Sequence, residues 1–130
     1  MAVELLSTTE DYLKVIATAA RVCYSGLPVE ELLSRYSEEE DRALIERVVG
    51  MGHLSVVEHA VFTFKVDKSF KEELFKIFME KPFIKVSERE DSFIVSLNLR
   101  TAAELLSEMP QLSFTKAIEP FIPDFVKPKG

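Results

Sequence analysis

The run Val61-Phe62-Thr63-Phe64-Lys65-Val66 places Phe62, Phe64 and Val66 on one parity and Thr63 and Lys65 on the other. Successive side chains of a strand point to opposite faces, so this period of two predicts a strand with one buried and one wetter face. Its apolar face needs a cover, and the flanking sequence supplies helices. Upstream, Leu44, Ile45, Val48 and Val49 repeat at helical spacing behind Ser37 and Glu40, a serine–glutamate pair set for a capping box. Gly50 and Gly52 end that helix. Between helix and strand lies Gly52-His53-Leu54-Ser55-Val56-Val57-Glu58-His59, a dense group of polar and ionisable side chains.

Further upstream, Ala2 to Leu6 reads as a short strand. Ser7, Thr8 and Thr9 offer N-cap oxygens, and Tyr12, Ile16, Ala19, Ala20 and Cys23 fall on one face of a helix over residues 10 to 24. On this reading Cys23 is a packed small hydrophobe. Pro28 opens a short helix through Leu33. Downstream of the central strand, Ser69 is read as the cap of a helix whose core stripe is Phe70, Leu74, Ile77 and Phe78, stopped by Pro82. Phe83 to Ser87 and Phe93 to Asn98 are read as strands around the turn Glu88-Arg89-Glu90-Asp91. A last helix runs from Arg100 to Met109. Four of the six prolines lie from residue 110 onward, which leaves a short helix and an irregular tail there. The expectation is an α+β fold: a small, mostly antiparallel sheet packed with helices in a single domain, residues 1–130. Residues 1–109 form its core and 110–130 a proline-rich extension.

With 130 residues and 47% hydrophobic composition, the chain can bury a core without staples. A net charge of −6 argues against broad electrostatic binding to nucleic acid or an anionic membrane. The single cysteine cannot form an intrachain disulfide and fits a reducing, cytoplasmic setting. No apolar run reaches the roughly 20 residues of a membrane helix. Glu38-Glu39-Glu40-Asp41 reads as a solvated helix start that complements the dipole.

The polar group His53, Ser55, Glu58 and His59 has two readings from residue types alone. It is a local capping arrangement around Ser55, or a set of ligand contacts. Two imidazoles and a carboxylate are zinc ligands by type, but their spacing is not that of two imidazoles on one helix face. The chain has no third histidine either, so no metal site is expected. No glycine elbow frames a nucleophilic serine, and no catalytic residue is assigned.

Taken with their flanks, the residues gain a second meaning. Ala19-Ala20-Arg21-Val22-Cys23-Tyr24-Ser25, then Gly52-His53-Leu54-Ser55-Val56-Val57-Glu58-His59 and Phe62-Thr63-Phe64, resemble the N-terminal half of flavin-dependent thymidylate synthases. Asn98-Leu99-Arg100 resembles that family's later N-x-R segment. The resemblance implies a shortened, degenerate member of the thymidylate synthase complementing protein family. It also implies FAD as cofactor, a nucleotide (dUMP) as ligand and a homo-oligomer, tetramer or dimer, with flavin between subunits. His53, Ser55, Glu58, Asn98 and Arg100 would be the cofactor-binding residues. The family's R-H-R motif, whose cations hold the FAD diphosphate and the dUMP phosphate, is not matched. Continuing without a gap from Phe64 puts Phe78-Met79-Glu80 in its place. The resemblance therefore implies conversion of dUMP to dTMP as the family activity, with catalysis impaired here. An enzyme completed by a partner chain, or a non-catalytic interaction module built on the Phe114–Phe125 tail, are the alternatives.

Overall fold

Residues 61–67 form the inner strand on which the sheet is built. The computed structural model describes residues 2–128. In it β1 (Val3–Thr8), β2 (Val61–Asp67), β3 (Lys85–Glu88) and β4 (Ser92–Asn98) form one sheet in the order β1-β2-β4-β3. Every neighbouring pair is antiparallel. Phe62 pairs with Leu97, Phe64 with Val95 and Val66 with Phe93, and all six are buried on one face. On the opposite face the Thr63 and Ser96 hydroxyls meet at 2.7 Å across the β2–β4 ladder. A bulge between Leu5 and Ser7 changes the register of β1.

The buried face is covered by helices from both sides of the sequence. α1 (Tyr12–Val22) inserts Ile16, Ala17 and Ala20, and α3 (Glu38–Gly50) packs on α1 and inserts Ile45 and Val48. The short α2 (Val29–Arg35) follows Pro28 and buries Leu32. α4 (Lys71–Glu80), α5 (Leu99–Glu108) and α6 (Ser113–Ile118) complete the cover. The antiparallel α+β arrangement expected from the alternating segments is the one observed. Phe114, Ile118, Ile122 and Val126 sit in the same buried cluster as the sheet residues, so the proline-rich end lies over the shared core.

Several local expectations are corrected. Ser7, Thr8 and Thr9 do not cap α1. Ser7 and Thr8 continue β1, and Thr9 extends the pairing by donating its N–H to Val61 O and accepting from Val61 N at Oγ1. The entry to α1 is instead Asp11 in a left-handed conformation (φ 50°), which aspartate tolerates better than most residues. Asp67, not Ser69, caps the turn ahead of α4, because its carboxylate accepts the Ser69 N–H at 2.9 Å. Of the stripe assigned to this helix, Leu74 and Ile77 are buried and Phe70 packs against the core. Phe78 is left 46% exposed on a neighbouring face. Phe83 lies outside β3 and is exposed. Cys23 falls one residue past the end of α1 and is exposed, so it does not pack on the apolar face.

The acidic run at the start of α3 divides. Ser37 and Glu40 form the capping box, the Glu40 N–H donating to Ser37 Oγ and the Ser37 N–H to Glu40 Oε1. Asp41, in contrast, is buried. It shares the inner face of the helix with Ile45 and Val48, and it pairs with Lys14 and with Arg21 (2.5 Å), whose guanidinium lies 3.5 Å over the Tyr36 ring.

Candidate functional site

The end of α3 sets the first part of the site. Gly52 takes φ 81°, a left-handed conformation that glycine adopts without a Cβ penalty. The Gly52 N–H then donates to Val49 O and the His53 N–H to Val48 O, the two bonds of a Schellman motif. This fixes the backbone of His53, the third residue after the helix. The chain then makes a 3-10 turn, Leu54–His59, anchored by buried Val57 with Leu54 and Val56 packed against the core. The anchors point inward, so His53, Ser55, Glu58 and His59 are all exposed.

The second part comes from the far end of β4. Val61 pairs with Asn98, and the Leu99 N–H donates to Ala60 O at 2.9 Å, which ties the end of the turn to the start of α5. Asn98 is the N-cap of α5, its Oδ1 accepting the Thr101 N–H at 2.8 Å. Arg100 lies in the first turn of that helix. Its Nη1 donates to Glu58 Oε2 at 2.6 Å and its Nε lies 3.8 Å from Glu104 Oε2. The Glu58 hydrogen bond, with the charges of Glu58 and Glu104, raises the Arg100 pKa above its ordinary value.

Residues 42 positions apart in sequence therefore meet as an open cluster. Glu58 and Arg100 touch, and Asn98 holds the helix that carries Arg100. His53 and Ser55 stand on the same turn as Glu58 without a shown contact to Arg100. The chemistry of the set is that of a binding surface: a hydroxyl, an imidazole, an amide and a half-exposed guanidinium can donate to ring carbonyls or phosphate oxygens. Those donors fit a flavin nucleotide. Among the described residues, no group of three or more His, Cys, Asp or Glu side chains is placed to hold a metal ion. Nor, among the described residues, is any helix long and apolar enough to cross a membrane.

The sequence profile described as "Thymidylate synthase complementing protein" matches residues 4–74, more than half of the chain. The chain belongs to the thymidylate synthase complementing protein family. Among curated relatives, the flavin-dependent thymidylate synthase of Geobacter sulfurreducens is 37% identical over 67 residues, covering 52% of this chain and 29% of the relative. That of Clostridium tetani is 40% identical over 65 residues, covering 50% and 26%. That of Thermococcus kodakarensis is 26% identical over 121 residues, covering 85% and 49%. The matches thus span between about a quarter and about half of these relatives' lengths. The profile-matched residues run from within β1 into α4 and include β2 and the whole Leu54–His59 turn.

A second polar assembly escaped the sequence reading. Asp41, Lys14, Arg21 and Tyr36 join α1, α3 and the residue after α2. Its signal was present. Asp41, Ile45 and Val48 are spaced at i, i+4 and i+7, which puts the carboxylate on the buried stripe rather than among its exposed neighbours.

Proposed function

We propose that this chain binds flavin through the 53–58 turn and the start of α5, and that it does not by itself convert dUMP to dTMP. The observation that carries the first half is the meeting of Glu58 and Arg100 beside His53 and Ser55, inside a chain whose relatives are named flavin-dependent enzymes. A cation in the first turn of a helix opposes the helix dipole. Arg100 occupies that unfavourable place, where Glu58 compensates it and leaves it 44% exposed to a ligand. In this reading Arg100 and Ser55 contact the flavin, Glu58 orients Arg100, and Asn98 sets the helix end. Flavin, when bound, supplies the hydride chemistry; the protein binds, orients and excludes water.

The second half rests on charge. By register from Phe64, the family's R-H-R position holds Phe78-Met79-Glu80, and a carboxylate there repels a phosphate where a guanidinium would bind it. The cluster is also open on its outer side. That supports a homo-oligomer, dimer or tetramer, in which a second copy covers the ligand. The single cysteine supports a reducing, cytoplasmic setting.

The same openness favours a second reading, in which a longer relative supplies the missing cations across an interface. Tritium release from labelled dUMP, with methylenetetrahydrofolate, FAD and NADPH, separates the two. The proposal expects no release from this chain alone, and release from the chain alone would overturn it. Release in excess of the relative's own rate only when both are mixed would establish the second reading.

A further inference from the structure

α4 carries more apolar surface than the core takes up. Leu74 and Ile77 are buried, while Phe75, Phe78 and Met79, at i, i+3 and i+4, form a second apolar face. Phe83, in the link to β3, adds to it, and these four side chains are between 46% and 80% exposed. With Val86 of β3 they present on the order of 500 Å² to water, taking about 150–250 Å² for a whole aromatic side chain. Such a patch lies in the upper part of the roughly 300–600 Å² that the largest patch of a monomer reaches. By register from Phe64, Phe78-Met79-Glu80 stands where the family's R-H-R motif would put phosphate-binding cations. The apolar face is therefore this chain's own and not one carried over with that motif.

The sheet ends beside it in an open edge. α4 leads from β2 to β3 across β4, and the short link 81–84 keeps the end of the helix near the start of the strand. The Lys68 hydrogen bond lowers the Glu88 pKa and the Lys71 charge adds to this, so the first turn of α4 lies near the far end of β3. β3 pairs with β4 alone. Bonded and non-bonded residue pairs alternate along an antiparallel ladder. The Arg89 N–H donates to Ser92 O at 2.8 Å, so Ser87–Ile94 and Lys85–Ser96 are bonded pairs. Val86 and Glu88 therefore turn their N–H and C=O groups away from β4. The other edge, β1, is interrupted by its bulge, whereas β3 keeps an even register throughout. An uninterrupted edge is a template for another strand.

Two copies of β3 fit each other in one register. With a two-fold axis at Val86, the two Val86 residues exchange both hydrogen bonds. Their side chains then meet on the helix-covered face, where the ladder partner Val95 is buried. Lys85 stands opposite Ser87 of the second copy. Moving the axis to Ser87 would set Lys85 opposite Arg89, and like charges directly across a ladder repel. An axis through the sheet also keeps the two α4 helices on one face, so the apolar sides beside each edge close on one another.

We propose that this chain forms a two-fold dimer through the β3 edge and the Phe75–Phe78–Met79 face of α4, joining two four-stranded sheets into one. The seam shares no residue with the Glu58–Arg100 cluster and does not rest on the flavin reading. Its apolar patch is smaller than the roughly 800 Å² per partner of a standard interface, so micromolar association is expected. Sedimentation velocity of the full chain, from sub-micromolar to high micromolar concentration, tests this. Phe75→Glu puts a charge from each copy into the seam. Val86→Pro removes an outward N–H and leaves the bonds to β4 intact, as proline does on an edge strand. The expected result is reversible association of the wild type, weakened at least about tenfold in each variant. Both variants should melt at the wild-type temperature at sub-micromolar concentration, where the chain is dissociated; if Val86→Pro melts lower, Phe75→Glu decides alone. Arg100→Ala should associate as the wild type does. A wild type that stays monomeric at every concentration, or wild-type association in Phe75→Glu, would overturn the proposal. Association lost in Arg100→Ala and kept in Phe75→Glu would also overturn it and place the contact at the flavin cluster.

Discussion

Asp41 is the residue whose surroundings depart furthest from its sequence context. Glu38, Glu39 and Glu40 beside it are exposed, yet Asp41 is 1% exposed and bound by two cations. Replacing it by alanine leaves Lys14 and Arg21 unpaired in a poorly solvated place, and removal of one member of a buried pair costs about 3–5 kcal/mol. Urea denaturation of Asp41→Ala should show a loss of that size; a loss below about 1 kcal/mol would mean that the cations find water. Sequence periodicity could have placed Asp41 on the inner stripe, but charge runs are usually solvated and that prior prevailed. At Arg100 the sequence told more. Its resemblance to an N-x-R segment named the residue, although only the structure could pair it with Glu58 from another element.

At the scale of elements, the alternation in β2 and the 3.6 period in α1, α3 and α4 made the architecture legible, because one buried face per element imposes those periods. The element ends were less legible. A serine or threonine before an apolar run serves equally as a cap or as the last residue of a strand. Thr9 went to the strand because Val61 offered it a ladder partner. The capping box of α3 was legible because two side chains had to agree, and Ser37→Ala should cost about 1 kcal/mol. Glu40 also makes this end sensitive to pH. The Ser37 N–H bonded to its carboxylate lowers the Glu40 pKa from its ordinary 4.5. A lowered carboxylate contributes stability that is present above the unfolded pKa and lost as pH falls through the folded one. The difference in melting temperature between wild type and Glu40→Gln should therefore be present at neutral pH, begin to shrink below about 4.5 and vanish once the pH has fallen through the lowered folded value. A difference that persists undiminished in acid would remove the charged form from the cap.

Across the whole molecule, apolar residues of the same type have opposite fates. Phe114, far along the chain, is 1% exposed, whereas Phe75 on α4 is 67% exposed. Phe114→Ala should cost about 3–5 kcal/mol through the cavity it leaves, and Phe75→Ser should stay within about 0.5 kcal/mol. Equal effects by chemical denaturation would contradict this division of core and surface. Sequence could not make the division, since Phe75, Phe78 and Met79 are spaced at i, i+3 and i+4 like a buried stripe. The choice between two apolar faces of one helix is made by the sheet against which it packs. The candidate site spans the molecule in the same way, drawing on the turn after α3 and on the start of α5, which the sheet brings together through the Val61–Asn98 pairing. Its most direct test is a titration of FAD, followed by flavin fluorescence, into the wild-type chain and into Arg100→Ala. Saturable binding by the wild type, weakened about tenfold or more in Arg100→Ala, is the predicted result. No saturable binding by the wild type, or equal affinity in both proteins, would contradict the assignment of flavin to this cluster.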